Sequence, residues 1–162
     1  MRRKDREITG FDEMVGIIDK CDVCRLALND DGAPYILPLN FGYAVSGGRL
    51  ELYFHGALSG KKLDLIAKDP HAAFELDCGH ALITNEEKGD ISMLYQSVIG
   101  KGVIEMIPDE DKEEALGIIL RHYGLEGFKY NTAMVQATGV FKLVVGEMTA
   151  KARPMTPGFK KV

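Results

Sequence analysis

From Cys24 onward the apolar residues fall on every second position, and short turns separate one such run from the next. Cys24, Leu26 and Leu28 alternate with Arg25 and Ala27, the pattern of a strand with one buried face. Asn29-Asp30-Asp31-Gly32 turns the chain into a second strand over Tyr35 to Tyr43. Ser46-Gly47-Gly48 then leads into Leu50-Glu51-Leu52-Tyr53-Phe54-His55. Strands joined so tightly pair antiparallel, because a parallel pair needs a crossover of a dozen or more residues. Pro38 removes a ladder donor, which puts the second strand at an edge or at a bulge.

Elsewhere the period lengthens. Thr9-Gly10-Phe11-Asp12 resembles a capping box opening a helix with Met14, Val15, Ile17, Ile18 and Cys21 on its apolar side. Leu63, Ile66 and Ala67 predict a short helix from about Gly60 to Lys68, capped by Ser59 and stopped at Asp69-Pro70. A strand follows near Ala72 to Leu76. Cys78 to Ser92 is expected to be a loop, with a brief strand at Ala81 to Ile83. Tyr95 to Ile107 predicts a long strand, bent at Gly100 and Gly102. Pro108-Asp109-Glu110-Asp111 opens a helix carrying Leu116, Ile119, Leu120 and Tyr123, and Gly124 stops it. The last strand is expected over Val135 to Met148, and residues 153–162 are expected to form a loosely held tail. The sum is a single domain over 1–162, mainly β with appended helices (α+β). Its roughly six to seven strands are expected to form a mostly antiparallel barrel.

Charge narrows the partners. The net charge of -4, with both signs interspersed, argues against nucleic acid and against a membrane surface. No apolar run approaches the roughly 20 residues that span a bilayer. The start Met1-Arg2-Arg3-Lys4 runs into Asp5 and Glu7 rather than a signal-peptide core. Three cysteines cannot close a disulfide framework, so a cytoplasmic protein is expected.

The chemistry concentrates between Pro38 and Lys62. Lys61 and Lys62 fall in the first turn of the predicted short helix, where the dipole disfavours cations. A bound anion reverses that sign: free N–H groups, Ser59, a close-approach glycine and two ammonium groups suit a phosphate. Before them, Pro38-Leu39-Asn40-Phe41 and Tyr53-Phe54-His55-Gly56 put polar and aromatic groups on adjacent strands, a wall for a flat conjugated phosphate ester. Taken singly, Tyr53 and Phe54 fit ordinary strand packing. A rival constellation, Cys21-Asp22-Val23-Cys24 with Cys78-Gly79-His80, lacks a second C-x-x-C and does not specify zinc. No metal site is expected.

Pro34-Tyr35-Ile36-Leu37-Pro38-Leu39-Asn40-Phe41-Gly42-Tyr43, Leu52-Tyr53-Phe54-His55-Gly56-Ala57 and Gly60-Lys61-Lys62-Leu63-Asp64 resemble the nitroimidazole-resistance (Nim) type proteins. These are pyridoxamine-phosphate-oxidase-like flavoproteins. Arg25-Leu26-Ala27, Tyr95-Gln96-Ser97-Val98-Ile99-Gly100-Lys101-Gly102 and Met148-Thr149-Ala150-Lys151 are similar to the same group, so the likeness runs over roughly 8 to 151. It implies a split β-barrel homodimer with FMN at the subunit interface and a flavin-dependent oxidoreductase acting on a small planar substrate, a nitroaromatic for instance. By the same resemblance Leu37 to Phe41 and Tyr53 to Gly56 line the flavin ring, and Gln96, Ser97 and Val98 join the cofactor site from a neighbouring strand. Ser59 to Lys62 holds the phosphate, Lys151 joins the site, and His55 is the catalytic candidate. The alternative is a flavin- or haem-binding split barrel without turnover, with His55 as an axial ligand.

Overall fold

The computed structural model describes residues 3–129 and 131–162, so Met1 and Arg2 of the basic start lie outside the described residues. Along the chain come β1 (Glu7–Ile8), α1 (Phe11–Ile18), β2 (Cys24–Leu28), β3 (Tyr35–Leu39), β4 (Phe41–Ser46), β5 (Arg49–Gly56) and α2 (Lys61–Lys68). They are followed by β6 (His71–Asn85), β7 (Asp90–Met106), α3 (Lys112–His122), α4 (Thr132–Gln136), β8 (Gly139–Arg153) and β9 (Lys160–Lys161). The hydrogen-bonded order is β3-β2-β6-β7-β8-β5-β4, with β1 beside β8 and β9 beside β6. Antiparallel pairing dominates, as the hairpin turns require, and the seven strands of that path match the expected number. Two very short strands are additional. Among the described residues no helix is long and apolar enough to cross a membrane.

The chain divides into two compact units. The first comprises Met1–Cys21, Glu75–Ile99 and Met148–Val162. Here α1 buries Ile17 and Ile18, but its start differs from the expected capping box. Gly10 is the N-cap, no side chain caps the helix, and the Met14 N–H donates to the Gly10 carbonyl at 3.0 Å. The expected loop after Leu76 is also replaced: β6 continues to Asn85, and β7 begins at Asp90. Gly79 sits inside β6 with φ of 69°. The buried positions change from Ala72, Phe74 and Leu76 to Ile83 and Asn85, a shift of parity that a bulge produces. The alternation in the sequence is broken at that point although the strand is not. The tail expected to be loose carries β9, which pairs with Ile83 and Thr84, and the Val162 N–H donates to the Leu82 carbonyl at 3.1 Å.

The second unit comprises Asp22–Phe74 and Gly100–Glu147. Its core holds Leu26, Leu28, Phe41, Leu50, Leu52, Phe54, Phe141 and Leu143, all essentially inaccessible. On the other face of β5, α3 packs Ala115 and Ile119 against Tyr53 and Val140. Helix and sheet approach closely at Gly42, where an added Cβ would lie 2.6 Å from the Ile118 carbonyl oxygen. The expected final strand begins later than predicted, because Val135 is buried on the short α4 and β8 starts at Gly139.

The expected strand over Tyr35 to Tyr43 is divided at Asn40. Leu39 pairs with Cys24 on β2, whereas Phe41 pairs with Phe54 on β5. One stretch of chain therefore supplies both ends of the strand order, and Pro38 lies in a terminal strand as its missing N–H demands. The Tyr123 hydroxyl holds the crossing point. It donates to the Asp22 carbonyl at 2.6 Å and accepts from the Phe41 N–H and the Asn40 side chain, each at 3.2 Å. Tyr123→Phe leaves the Phe41 N–H without that acceptor. The expected loss is about 1–2 kcal/mol of stability, read from urea unfolding; an unchanged midpoint would show that water replaces the hydroxyl.

Candidate functional site

The end of β5, the turn after it and the start of α2 form the centre of the candidate site. Leu65 and Ile66 bury one side of α2, fixing where its first turn lies. The cap is Gly60 rather than the expected Ser59: Gly60 takes φ of 123°, a region that favours glycine, and no side chain caps the helix. The Leu63 and Asp64 N–H groups turn back onto the Gly60 carbonyl at 2.8 and 3.2 Å. Ser59 is exposed in the turn.

The two adjacent lysines separate. Lys61 bridges to Asp30 at 2.6 Å and stands over the Tyr35 ring at 4.9 Å. That carboxylate raises its pKa. Lys62 is half-buried instead, with its ammonium 5.2 Å from the centre of the Phe141 ring and against Gly56, where a Cβ would collide with it. Among the described residues no carboxylate pairs with Lys62, and burial lowers its pKa. A desolvated cation at a helix start, beside a backbone without a side chain, has the charge and the shape that suit an anion.

His55 lies one residue before that glycine and has an exposed face. Partial burial, with the Lys62 charge adding, lowers its pKa below the ordinary 6.5, so the ring is neutral at pH 7. A histidine pKa lowered by folding means that the unfolded chain takes up the proton first. This contribution to stability is present at neutral pH and is lost as pH falls below about 6.5. Lys62→Gln is expected to raise the His55 midpoint in an NMR titration of the imidazole; an unmoved midpoint would mean that burial alone sets it.

The aromatic residues expected at the flavin ring face the interior. Phe54 stacks on Phe141 with centroids 5.3 Å apart, Phe41 lies against His122 at 4.4 Å, and all three phenylalanines are buried. Tyr53 is held under α3 and its hydroxyl donates to Glu51 at 2.6 Å. What Phe41, Tyr53 and Phe54 can offer a ligand is backbone. Pro38 and Asn40 are exposed, and Leu39 is partly so. Gln96, Ser97 and Val98 lie on β7 and Lys151 on β8, all in the first unit. Val98 is buried, and Gln96 accepts from Lys20 at 3.3 Å. Sequence reasoning missed Tyr123, which positions Asn40 and Phe41 from more than 80 residues away. It also missed a pocket of about 580 Å³ lined by Ala27, Leu28, Ala72, Lys101, Val103 and Glu147 among others, where none of the expected residues lies. Among the described residues no three histidine, cysteine or acidic groups gather to hold a metal.

Residues 11–152 match the family model described as pyridoxamine 5'-phosphate oxidase. The chain is 31% identical to a candidate 5-nitroimidazole antibiotic resistance protein from Bacteroides thetaiotaomicron. That alignment covers 90% of this chain and 86% of that one, with a TM-score of 0.79. Two further structures share the fold. The FAD and haem binding protein from Mycobacterium smegmatis is 20% identical, with 97% and 84% of the chains covered and a TM-score of 0.80. The flavocytochrome Anf3 from Azotobacter vinelandii is 17% identical, with 100% and 82% covered and a TM-score of 0.75. No curated protein matches the chain.

Proposed function

This chain belongs to the pyridoxamine 5'-phosphate oxidase family, on the side of the nitroimidazole-resistance-like proteins, and from that premise we propose that it binds FMN and acts as a flavin-dependent oxidoreductase. The observation that carries the reading is Lys62, a half-buried ammonium at the start of α2 that has no carboxylate partner among the described residues. Its charge, the first-turn N–H groups and the Ser59 hydroxyl would hold a phosphate ester, and Gly56 leaves backbone open beside them. Bound flavin supplies the hydride or electron transfer. The protein's own part is to position the tail, present backbone edges from Leu39 to Phe41 and His55 to Gly56, and offer a neutral His55 that can accept or donate a proton. The substrate class is a small planar acceptor such as a nitroaromatic. A homodimer, in which the second subunit covers the ring, and a cytoplasmic location belong to the same proposal.

A second reading, a flavin- or haem-binding protein without turnover, draws support from the names of the Mycobacterium and Azotobacter neighbours and from His55. The visible spectrum of the purified protein distinguishes the two. A flavin band, on purification or after adding FMN, is expected. A colourless protein that ignores FMN and takes up haem with a Soret band would overturn the first reading.

A further inference from the structure

The three cysteines match no part of the flavin reading, yet two of them meet in the first unit. The Cys21 thiol donates to the Ile17 carbonyl at 3.3 Å, and the Cys78 sulfur lies 4.0 Å from the same oxygen. Two sulfurs thus converge on one acceptor from residues 57 positions apart. We infer that Cys21 and Cys78 are a redox-responsive dithiol that closes to a disulfide under a hydroperoxide, linking the end of α1 to β6.

The surroundings favour this pairing. Cys21 lies just beyond α1 in a tight turn, with the Lys20 N–H donating to Ile17 and its own to Ile18 at 3.1 and 3.0 Å. A turn residue can move toward a partner more freely than one inside a helix, and a disulfide needs its two Cα atoms within about 4.4–6.8 Å. Cys78 is only partly buried and sits beside the parity change at Gly79. Burial, with the neighbouring Cys78 adding, pushes the Cys21 thiol well up, and Cys21 is the more buried of the two. Cys78 is therefore the sulfur that a peroxide reaches first, and Cys21 is the resolving partner. Cys24, completing the C-x-x-C, is fully buried on β2.

The chemistry balances with hydrogen peroxide as oxidant. The Cys78 sulfur attacks one peroxide oxygen, forming S–O as O–O breaks and releasing one water. Cys21 then attacks the Cys78 sulfur, forming S–S as S–O breaks, and a second water leaves with the remaining thiol proton. Two thiols and one peroxide give one disulfide and two waters.

The test uses the full chain, reduced, desalted, treated with a small excess of hydrogen peroxide and denatured with an alkylating agent. The titratable thiols are expected to fall from three to one, with an intact mass two hydrogens lighter. Trypsin leaves Cys21 and Cys24 on one peptide, so variants make the assignment. Cys24→Ser should still form the disulfide, whereas Cys78→Ser and Cys21→Ser should not. Cys21→Ala serves in place of Cys21→Ser if the hydroxyl disturbs folding. Oxidation of Cys78 by two oxygens with Cys21 still free, or a disulfide that persists in Cys78→Ser, would overturn the inference.

Discussion

Lys62→Ala is expected to weaken FMN binding by roughly ten- to a hundredfold and leave riboflavin nearly untouched, since one charge-assisted contact is worth about 1.5–3 kcal/mol. Riboflavin differs from FMN only by the phosphate and is the internal control. Lys61→Ala is expected to change either affinity little, because its ammonium is already bridged to Asp30 at 2.6 Å. Flavin fluorescence titrations of both variants with both ligands make the comparison. Equal losses for the two ligands would mean that Lys62 supports the fold over Phe141, not the phosphate. A large loss in Lys61→Ala would mean that the Asp30 bridge opens when ligand arrives. The empty Lys62→Ala chain should be at least as stable as the parent, since the lysine is desolvated and faces the positive end of α2.

The second large effect belongs to Phe54. Its ring is fully buried and stacks on Phe141, whose ring in turn lies beneath the Lys62 ammonium. Phe54→Ala removes a core aromatic and leaves a cavity, an expected loss of about 3–5 kcal/mol. Phe54→Leu keeps most of the volume and should recover the greater part. Urea unfolding measures both, and flavin affinity per folded molecule should change far less than stability. Unchanged stability with lost affinity would place the ring against the ligand instead.

The elements legible in the sequence were those whose signals are local. Hairpins announced themselves because alternation and turn residues occupy the same short stretch, as from Cys24 to Leu39 and from Phe41 to Gly56. The β6 extension was hidden because a bulge at Gly79 changes which parity is buried, and a period-two pattern cannot be followed through such a shift. The split at Asn40 was hidden for a different reason. Its cause is a hydroxyl that arrives from Tyr123, and nothing near Asn40 foretells it. In the candidate site the paired lysines and the glycine before them were visible, but their division of labour was not. Asp30 lies in a turn 31 residues earlier, and only the fold brings it to Lys61 and leaves Lys62 with no carboxylate among the described residues. The aromatic residues show the reverse: their type suggested a ligand wall, while packing demand alone explains where Phe41, Tyr53 and Phe54 point.

The division at Asn40 also bears on the order in which the chain can assemble. Two hairpins lie in tandem on either side of it, one over β2 and β3 and the other over β4 and β5, each closed by a short turn. Both can form from neighbouring residues on the microsecond scale of isolated hairpins. β8 must travel from residue 139 to pair with β5, and such distant closure is what slows β-rich chains. Residues 24–56 are thus expected to pair early, with the β5–β8 pairing closing later. Tyr123, more than 80 residues along the chain, is expected to fasten the joint between the hairpins after both have formed.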